Sequence, residues 1–151
     1  MKSLLDTCVI SELVARQPNP KVLAFVDALD SDDVYLSVIT IGEIIKGIEK
    51  LPDSRRKNEL HDWLQNDLFA RFSEKILPID INVVTAWGQL SANLEARGKP
   101  MPAMDALIAA TVIANKMTLI TRNTSDFEAA GIELENPWIT SKKSDENLRD
   151  T

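Results

Sequence analysis

Apolar residues follow two rhythms along this chain. Short leucine-rich or β-branched runs at 3–5, 34–38, 76–79, 118–120 and 132–134 have the length of strands. Pro78 interrupts the third run, which suits the edge of a sheet. Between these runs the apolar positions fall three and four apart. Residues 7–15 carry Val9, Ile10, Leu13 and Val14 on one helical face. Val22, Val26 and Leu29 mark a second helix, ending in the acidic turn Asp30-Ser31-Asp32-Asp33. Ile41, Ile44, Ile45 and Ile48 form an i, i+3, i+4, i+7 stripe, the sharpest helix signal in the chain. After Pro52-Asp53-Ser54, Leu60, Leu64, Leu68 and Phe72 recur four apart, with Trp63 broadening their face. Val83, Trp87, Leu90 and Leu94 stripe a further helix that Gly98 can terminate. Lys99-Pro100-Met101-Pro102 is a rigid connector. From 103 to 114 nearly every side chain is apolar or small, so this helix must be buried on most sides, with Ala109 and Ala110 permitting close approach.

Short strands alternating with helices predict an α/β protein with a mainly parallel sheet and helices on both faces. In such sheets the functional crevice lies beyond the carboxyl ends of the strands. The 151 residues are the size of one domain, expected over 1–139, with 140–151 a polar, aperiodic and flexible tail. The formal net charge of −6 argues against broad electrostatic capture of nucleic acid, but carboxylates that hold metal would themselves count as negative. One cysteine and one histidine exclude an internal disulfide, a cysteine-based zinc site and Ser-His-Asp chemistry. No apolar run approaches the ~20 residues of a membrane helix, and the N-terminus does not read as a signal peptide. A soluble, cytoplasmic setting with no membrane partner is expected.

Four acids stand where apolar runs give way to helical pattern: Asp6, Glu43, Asp105 and Asp126. Taken singly, Asp6 reads as an N-cap and Glu43 as a first-turn acid near a helix dipole. Asp126 reads as the start of a turn, a role open to Asn123 as well. Asp105 lies among Met, Ala, Leu and Ile, where a carboxylate is costly to desolvate without a partner. Taken together, and able to face one end of the sheet, they suggest a carboxylate cluster for a hard divalent cation, Mg²⁺ or Mn²⁺ rather than zinc. Cys8 reads as a small apolar filler, His61 as an exposed helix position, and Trp63 and Trp87 as core. Arg16, Lys46, Lys50, Arg55, Arg56 and Lys57 read as a solvated basic surface, with steering of a phosphate backbone as the alternative.

The stretches Leu4-Leu5-Asp6-Thr7, Thr40-Ile41-Gly42-Glu43, Met104-Asp105-Ala106-Leu107-Ile108-Ala109-Ala110-Thr111 and Thr121-Arg122-Asn123-Thr124-Ser125-Asp126-Phe127 occur in this order across nearly the whole chain. In these stretches the chain resembles PIN-domain proteins, most of all the VapC/FitB-type toxins of bacterial toxin–antitoxin pairs. The resemblance implies a three-layer α/β/α sandwich and a Mg²⁺- or Mn²⁺-dependent endoribonuclease acting on RNA. It also implies a cognate antitoxin, presumably DNA-binding, and a homodimer or toxin–antitoxin hetero-oligomer. Asp6, Glu43 and Asp105 match the three acids that hold metal in that family, and the fourth position falls on Asn123 or Asp126. Thr7 and Thr121 match small polar residues near the site. Cys8 departs from the family, where Asn is common. The alternative is a PIN fold kept as a binding module. Haloacid-dehalogenase phosphatases need a second Asp two residues after the first, where this chain has Cys8, and phospho-receiver domains need adjacent acids.

Overall fold

A computed structural model describes residues 1–139, so the expected tail lies outside the described residues. Five strands, β1 (Ser3–Leu5), β2 (Val34–Ser37), β3 (Ile76–Leu77), β4 (Thr118–Ile120) and β5 (Leu134–Glu135), form one sheet in the order β3-β2-β1-β4-β5. Every pairing is parallel, as the alternation of strands and helices predicts. Parallel strands covered on both faces are apolar throughout rather than at alternate positions. Accordingly β1 and β4 are buried at every residue. Their pleat sends successive side chains to opposite faces. Leu4 and Leu119, paired in register, enter one core, while Leu5 and Ile120 enter the other.

The Leu5 core is covered by α1 (Thr7–Val14), α2 (Pro20–Ala28), α3 (Val38–Glu49) and the helical stretch from α4 (Arg55–Asp62) to α5 (Phe69–Arg71). The Leu4 core is covered by α6 (Ile81–Ala96), α7 (Ala103–Asn115) and α8 (Thr124–Phe127). This is the three-layer α/β/α sandwich. The side chains of Ala106, Ile108, Ala109, Ala110, Thr111 and Val112 are all buried, as the composition of 103–114 demands.

Local differences from the sequence reading have physical causes. The helix after Ser54 is not uniform: Trp63–Leu68 between α4 and α5 is a π-helix. Residues four apart drift about 40° per step around an α-helix of 3.6 residues per turn, so three such steps would scatter the leucines. The wider π turns keep Leu64, Leu68 and Phe72 buried on one side. β2 stops at Ser37, one residue early, because the Ser37 hydroxyl accepts the Ile39 N–H at 3.0 Å and caps α3. β3 stops at Leu77, before Pro78, and does lie at an edge. β5 starts two residues later than expected: Gly131, at φ +67°, turns the chain, and Ile132 packs on the core before pairing begins at Leu134.

Two helices end in the same way with different residues. Gly98 takes φ +68° after α6, with Gly98 N–H donating to Glu95 O at 3.0 Å and Lys99 N–H to Leu94 O at 2.8 Å. After α7 the left-handed position is filled by Lys116, at φ +54°.

Candidate active site

The chain lays β1, β2 and β3 outward in one direction, then returns to place β4 on the other side of β1. Connections leave β1 and β4 in opposite directions, and a crevice opens at their carboxyl ends. Asp6 follows β1 and Thr121 follows β4, so both stand at this switch point. The ladder runs one residue past each strand and anchors them: Asp6 N–H donates to Ile120 O at 3.0 Å and Thr121 N–H to Glu135 O at 2.9 Å.

Asp6 is the N-cap of α1, and its side chain is held from both sides. Oδ1 accepts the Thr7 N–H at 2.8 Å and Oδ2 accepts the Thr121 hydroxyl at 2.8 Å. The capping reading is therefore correct, and it is compatible with a place in the cluster. Each carboxylate oxygen keeps a lone pair beyond those bonds. Thr121 is fully buried, and its Oγ1 also accepts the Asn123 N–H at 3.1 Å. Cys8 is more than a filler: its Sγ lies 3.6 Å from Thr121 Oγ1 and 3.9 Å from Asp6 Oδ2, and accepts the Arg122 N–H at 3.4 Å. Burial, aided by the Asp6 charge, pushes the Cys8 thiol up, so it stays protonated at neutral pH.

Glu43 comes from α3. Because that helix begins at Val38, Glu43 stands in the second turn rather than the first, and the helix-dipole reading does not hold. Thr7 Oγ1 donates to Glu43 Oε1 at 3.0 Å, with the buried Thr40 hydroxyl 3.5 Å from Thr7 Oγ1. Partial burial raises the Glu43 carboxyl above the usual range, and the charges of Asp6 and Asp105 add to this against the Thr7 bond and Lys46. Asp105 lies in the first turn of α7. Burial raises it too, with further contributions from Asp6 and Asp126. Asp126 lies in the first turn of α8, beside Phe127, whose fully buried ring anchors that short helix.

Each of the four acids is carried by a different element, and their charges bear on one another. Asp6 acts on Glu43 and on Asp105, and Asp126 acts on Asp105. Of the two residues open for the fourth position, Asp126 brings its charge to the cluster, while Asn123 brings a backbone N–H to Thr121. Among the described residues, none of the four acids forms an ion pair. Nor do any three His, Cys, Asp or Glu side chains gather tightly enough to hold one ion as they stand. Uncompensated like charges repel, which opposes such gathering. The donor set is nonetheless hard carboxylate oxygen throughout, the chemistry suited to Mg²⁺ or Mn²⁺. Asp6 is fixed, while the exposed Glu43 and half-buried Asp105 have room to turn.

Comparison with known proteins identifies the family. Residues 3–133 match the PIN domain model. The chain belongs to the PIN domain family. It is 41% identical over 135 residues to Toxin FitB of Neisseria gonorrhoeae, covering 89% of this chain and 97% of that protein. It is 36% identical over 135 residues to VapC ribonuclease Y4jK of Sinorhizobium fredii, covering 89% and 96%. Among solved structures, FitAB bound to an IR36 DNA fragment matches with a TM-score of 0.87 at 40% identity, covering 92% of this chain and 97% of that one. Three residues beside this PIN-domain crevice carried no separate signal in the sequence. Thr40 and Arg122 sat inside recognised stretches without a role, and Trp138 meets Arg122 only through the β5 connection.

Proposed function

We propose that this PIN-domain chain is the toxin of a toxin–antitoxin pair and a Mg²⁺- or Mn²⁺-dependent endoribonuclease. The observation that carries the reading is a set of four carboxylates, from four separate elements, whose charges bear on one another beside the switch point of a parallel sheet and which form no ion pair among the described residues. The names of the relatives, a toxin and a ribonuclease, point the same way. In this reading Asp6, Glu43 and Asp105 are the principal metal ligands, and Asp126 closes the site or orients water. A divalent cation bound there would supply Lewis-acid stabilisation of phosphate charge and a water more acidic than bulk.

The chain's own residues set the geometry. Thr121 and the Thr7 N–H hold both oxygens of Asp6 in one rotamer, so the ligand enters the crevice pre-oriented. Thr7 also donates to one oxygen of Glu43, leaving Oε2 available as a metal ligand. The apolar packing behind Asp6 and Thr121 keeps bulk water off that side.

The structure neighbours include FitAB on DNA, which supports an antitoxin partner for this chain as well. A basic antitoxin side chain among the four acids would compete with metal, and a homodimer or hetero-oligomer is the expected assembly. Among the described residues no helix is long and apolar enough to cross a membrane. A second reading, a binding module without turnover, is favoured by the incomplete gathering of the ligands. Incubating purified protein with a mixed RNA pool in Mg²⁺, Mn²⁺ or EDTA separates the two. Metal-dependent cleavage that Asp6→Asn abolishes is expected. Metal binding without cleavage would support the binding module, and cleavage that survives Asp6→Asn would point to a contaminant.

A further inference from the structure

β5 ends the sheet, so only one of its sides is paired with a strand. Leu119 N–H donates to Glu133 O at 3.0 Å and Thr121 N–H to Glu135 O at 2.9 Å, which commits Glu133 and Glu135 to β4. Backbone polar groups of successive residues point to opposite sides of a strand. The N–H and C=O of Leu134 and Asn136 therefore face the open side. An open groove of about 680 Å³ follows that side, between α2 and α8. Phe25, Leu134, Pro137 and Ile139 give it apolar walls. An unpaired strand edge beside apolar surface is a template for a further strand, and folded proteins usually cover it.

The chain does not leave this edge after β5. Asn136 O accepts the Ile139 N–H at 3.3 Å, closing a four-residue β-turn with Pro137 in its second position. The Asn136 side chain braces the turn twice: Oδ1 accepts the Trp138 N–H at 2.9 Å and Nδ2 donates to Arg122 O at 3.3 Å. Because Asn136 O lies on the open side, the turn brings Ile139 to that side and reverses the chain. Ile139, the last described residue, thus stands in the groove with 140–151 still to follow. Charge points the same way. Leu134 turns into the Leu4 core, so Glu133 and Glu135 turn to the opposite face, toward α2, while Glu128 lies on the α8 side. None of these three acids forms an ion pair among the described residues, and Lys21 is the only cation there that lines the groove. The sequence after Ile139 begins Thr140-Ser141-Lys142-Lys143. Successive side chains of a strand face opposite ways, so in any register one lysine meets the Glu133–Glu135 face and the other the Glu128 side.

We infer that residues 140–143 add a sixth strand to the sheet, antiparallel to β5, so that the groove is filled by this chain's own C-terminal segment. Four extended residues span about 13 Å, enough to run past Leu134. The Leu134 N–H then donates to a carbonyl of the added strand, and the polar tail begins at Ser144. A second copy of the chain fits this edge less well. Two β5 edges paired about a two-fold axis would set Glu133 and Glu135 of one copy against those of the other, and like charges opposed across strands are destabilising. The added strand is independent of the nuclease reading.

The test is amide hydrogen exchange of the isotope-labelled full-length protein, read residue by residue by NMR. In wild type the Leu134 amide should exchange about ten-fold or more slower than an unprotected amide. Two full-length variants remove the cause. Lys142→Glu with Lys143→Glu reverses the charge, and Thr140→Pro with Ser141→Pro places one ring toward β5 in any register. Both should return the Leu134 amide to about the unprotected rate. The Leu119 amide, bonded to Glu133 O inside the sheet, should exchange as in wild type and so reports that the fold is intact. Fast exchange of Leu134 in wild type would overturn the added strand. So would protection that survives both variants, which would assign it to burial in the Leu4 core. Protection that disappears on dilution would give the edge to a second copy of the chain and overturn it as well. Protection lost in the proline variant alone keeps the strand and removes the lysines from its cause.

Discussion

Replacing Thr121 by valine keeps the shape of the side chain and deletes one hydroxyl at the centre of the crevice. Thr121 is fully buried and Asp6 is 7% exposed, so water cannot easily replace the lost bond. That bond, 2.8 Å long and made to a carboxylate, belongs to the charge-assisted class worth about 1.5–3 kcal/mol. The Asn123 N–H loses its acceptor as well, but Asn123 is exposed and solvent can serve it. Burying a methyl in place of a hydroxyl offsets part of the loss, so the net cost should be about 2 kcal/mol. For a chain of this length that is about 4–8 °C in melting temperature. Thr121→Ser, which keeps the hydroxyl, should recover most of it. Activity should fall about 10–100-fold, as is usual when a partner that orients a metal ligand is removed. Melting by circular dichroism in EDTA at pH 7, for Thr121→Val alone and combined with Asp6→Asn, isolates the pair. Against a neutral amide the hydroxyl contributes less, so the Thr121→Val penalty should drop to about 1 kcal/mol in the double variant. A Thr121→Val protein melting within a degree of wild type, or an equal penalty in both backgrounds, would refute the account of Asp6 as a ligand positioned by Thr121.

Other perturbations test the electrostatics and the backbone. Asp105 has its carboxyl raised in the folded state, so the folded protein binds that proton more tightly than the unfolded chain. The stability this confers is complete below the unfolded value and is lost as pH rises through the folded one. Asp105→Asn escapes that loss, so in EDTA it should melt above wild type at pH 7, with the gap closing toward pH 4. Asp105 is half-buried and screened by solvent, so the gain should be only about 0.2–1 kcal/mol, and added Mg²⁺ should raise wild type but not the variant. Lys116→Gly should raise the melting temperature by about 2–4 °C, because the left-handed turn at φ +54° costs a lysine about 1 kcal/mol that Gly98 does not incur after α6.

The layers of this fold were legible because each apolar run has one rhythm and one use. Parallel strands buried on both faces favour apolar runs, and 3–5 and 118–120 each pair two large apolar residues with one small buried hydroxyl, Ser3 and Thr118. Helix 103–114 is apolar or small at nearly every position, and its run from Ile108 to Val112 is buried throughout. What was not legible depends on contacts between distant residues. Strand pairing, not strand propensity, sets where β5 begins, and Leu134 rather than Ile132 is opposite Leu119. The start of α3 is set by a serine hydroxyl that ends β2 against the β preference of Val38, and this moved Glu43 by a turn.

The candidate site divides along the same line. An acid at the end of a strand announces itself, because a carboxylate next to an apolar run needs a reason to be there. The threonines that hold those acids do not, since a threonine suits a strand, a cap or a surface equally well. Asp6 was read as either a cap or a ligand, and the structure shows the cap: one oxygen caps α1 while the other takes the Thr121 hydroxyl, 115 positions away. The cap restricts the rotamer and the hydroxyl restricts the remaining rotation. The ordinary structural role of Asp6 therefore also supplies the precision that the proposed chemical one would need. Cys8 follows the same logic in reverse. It looked inert because it is small and apolar, but its sulfur joins α1 to the Arg122 backbone at the end of β4. That single contact ties the residue order of the first motif to the position of the last.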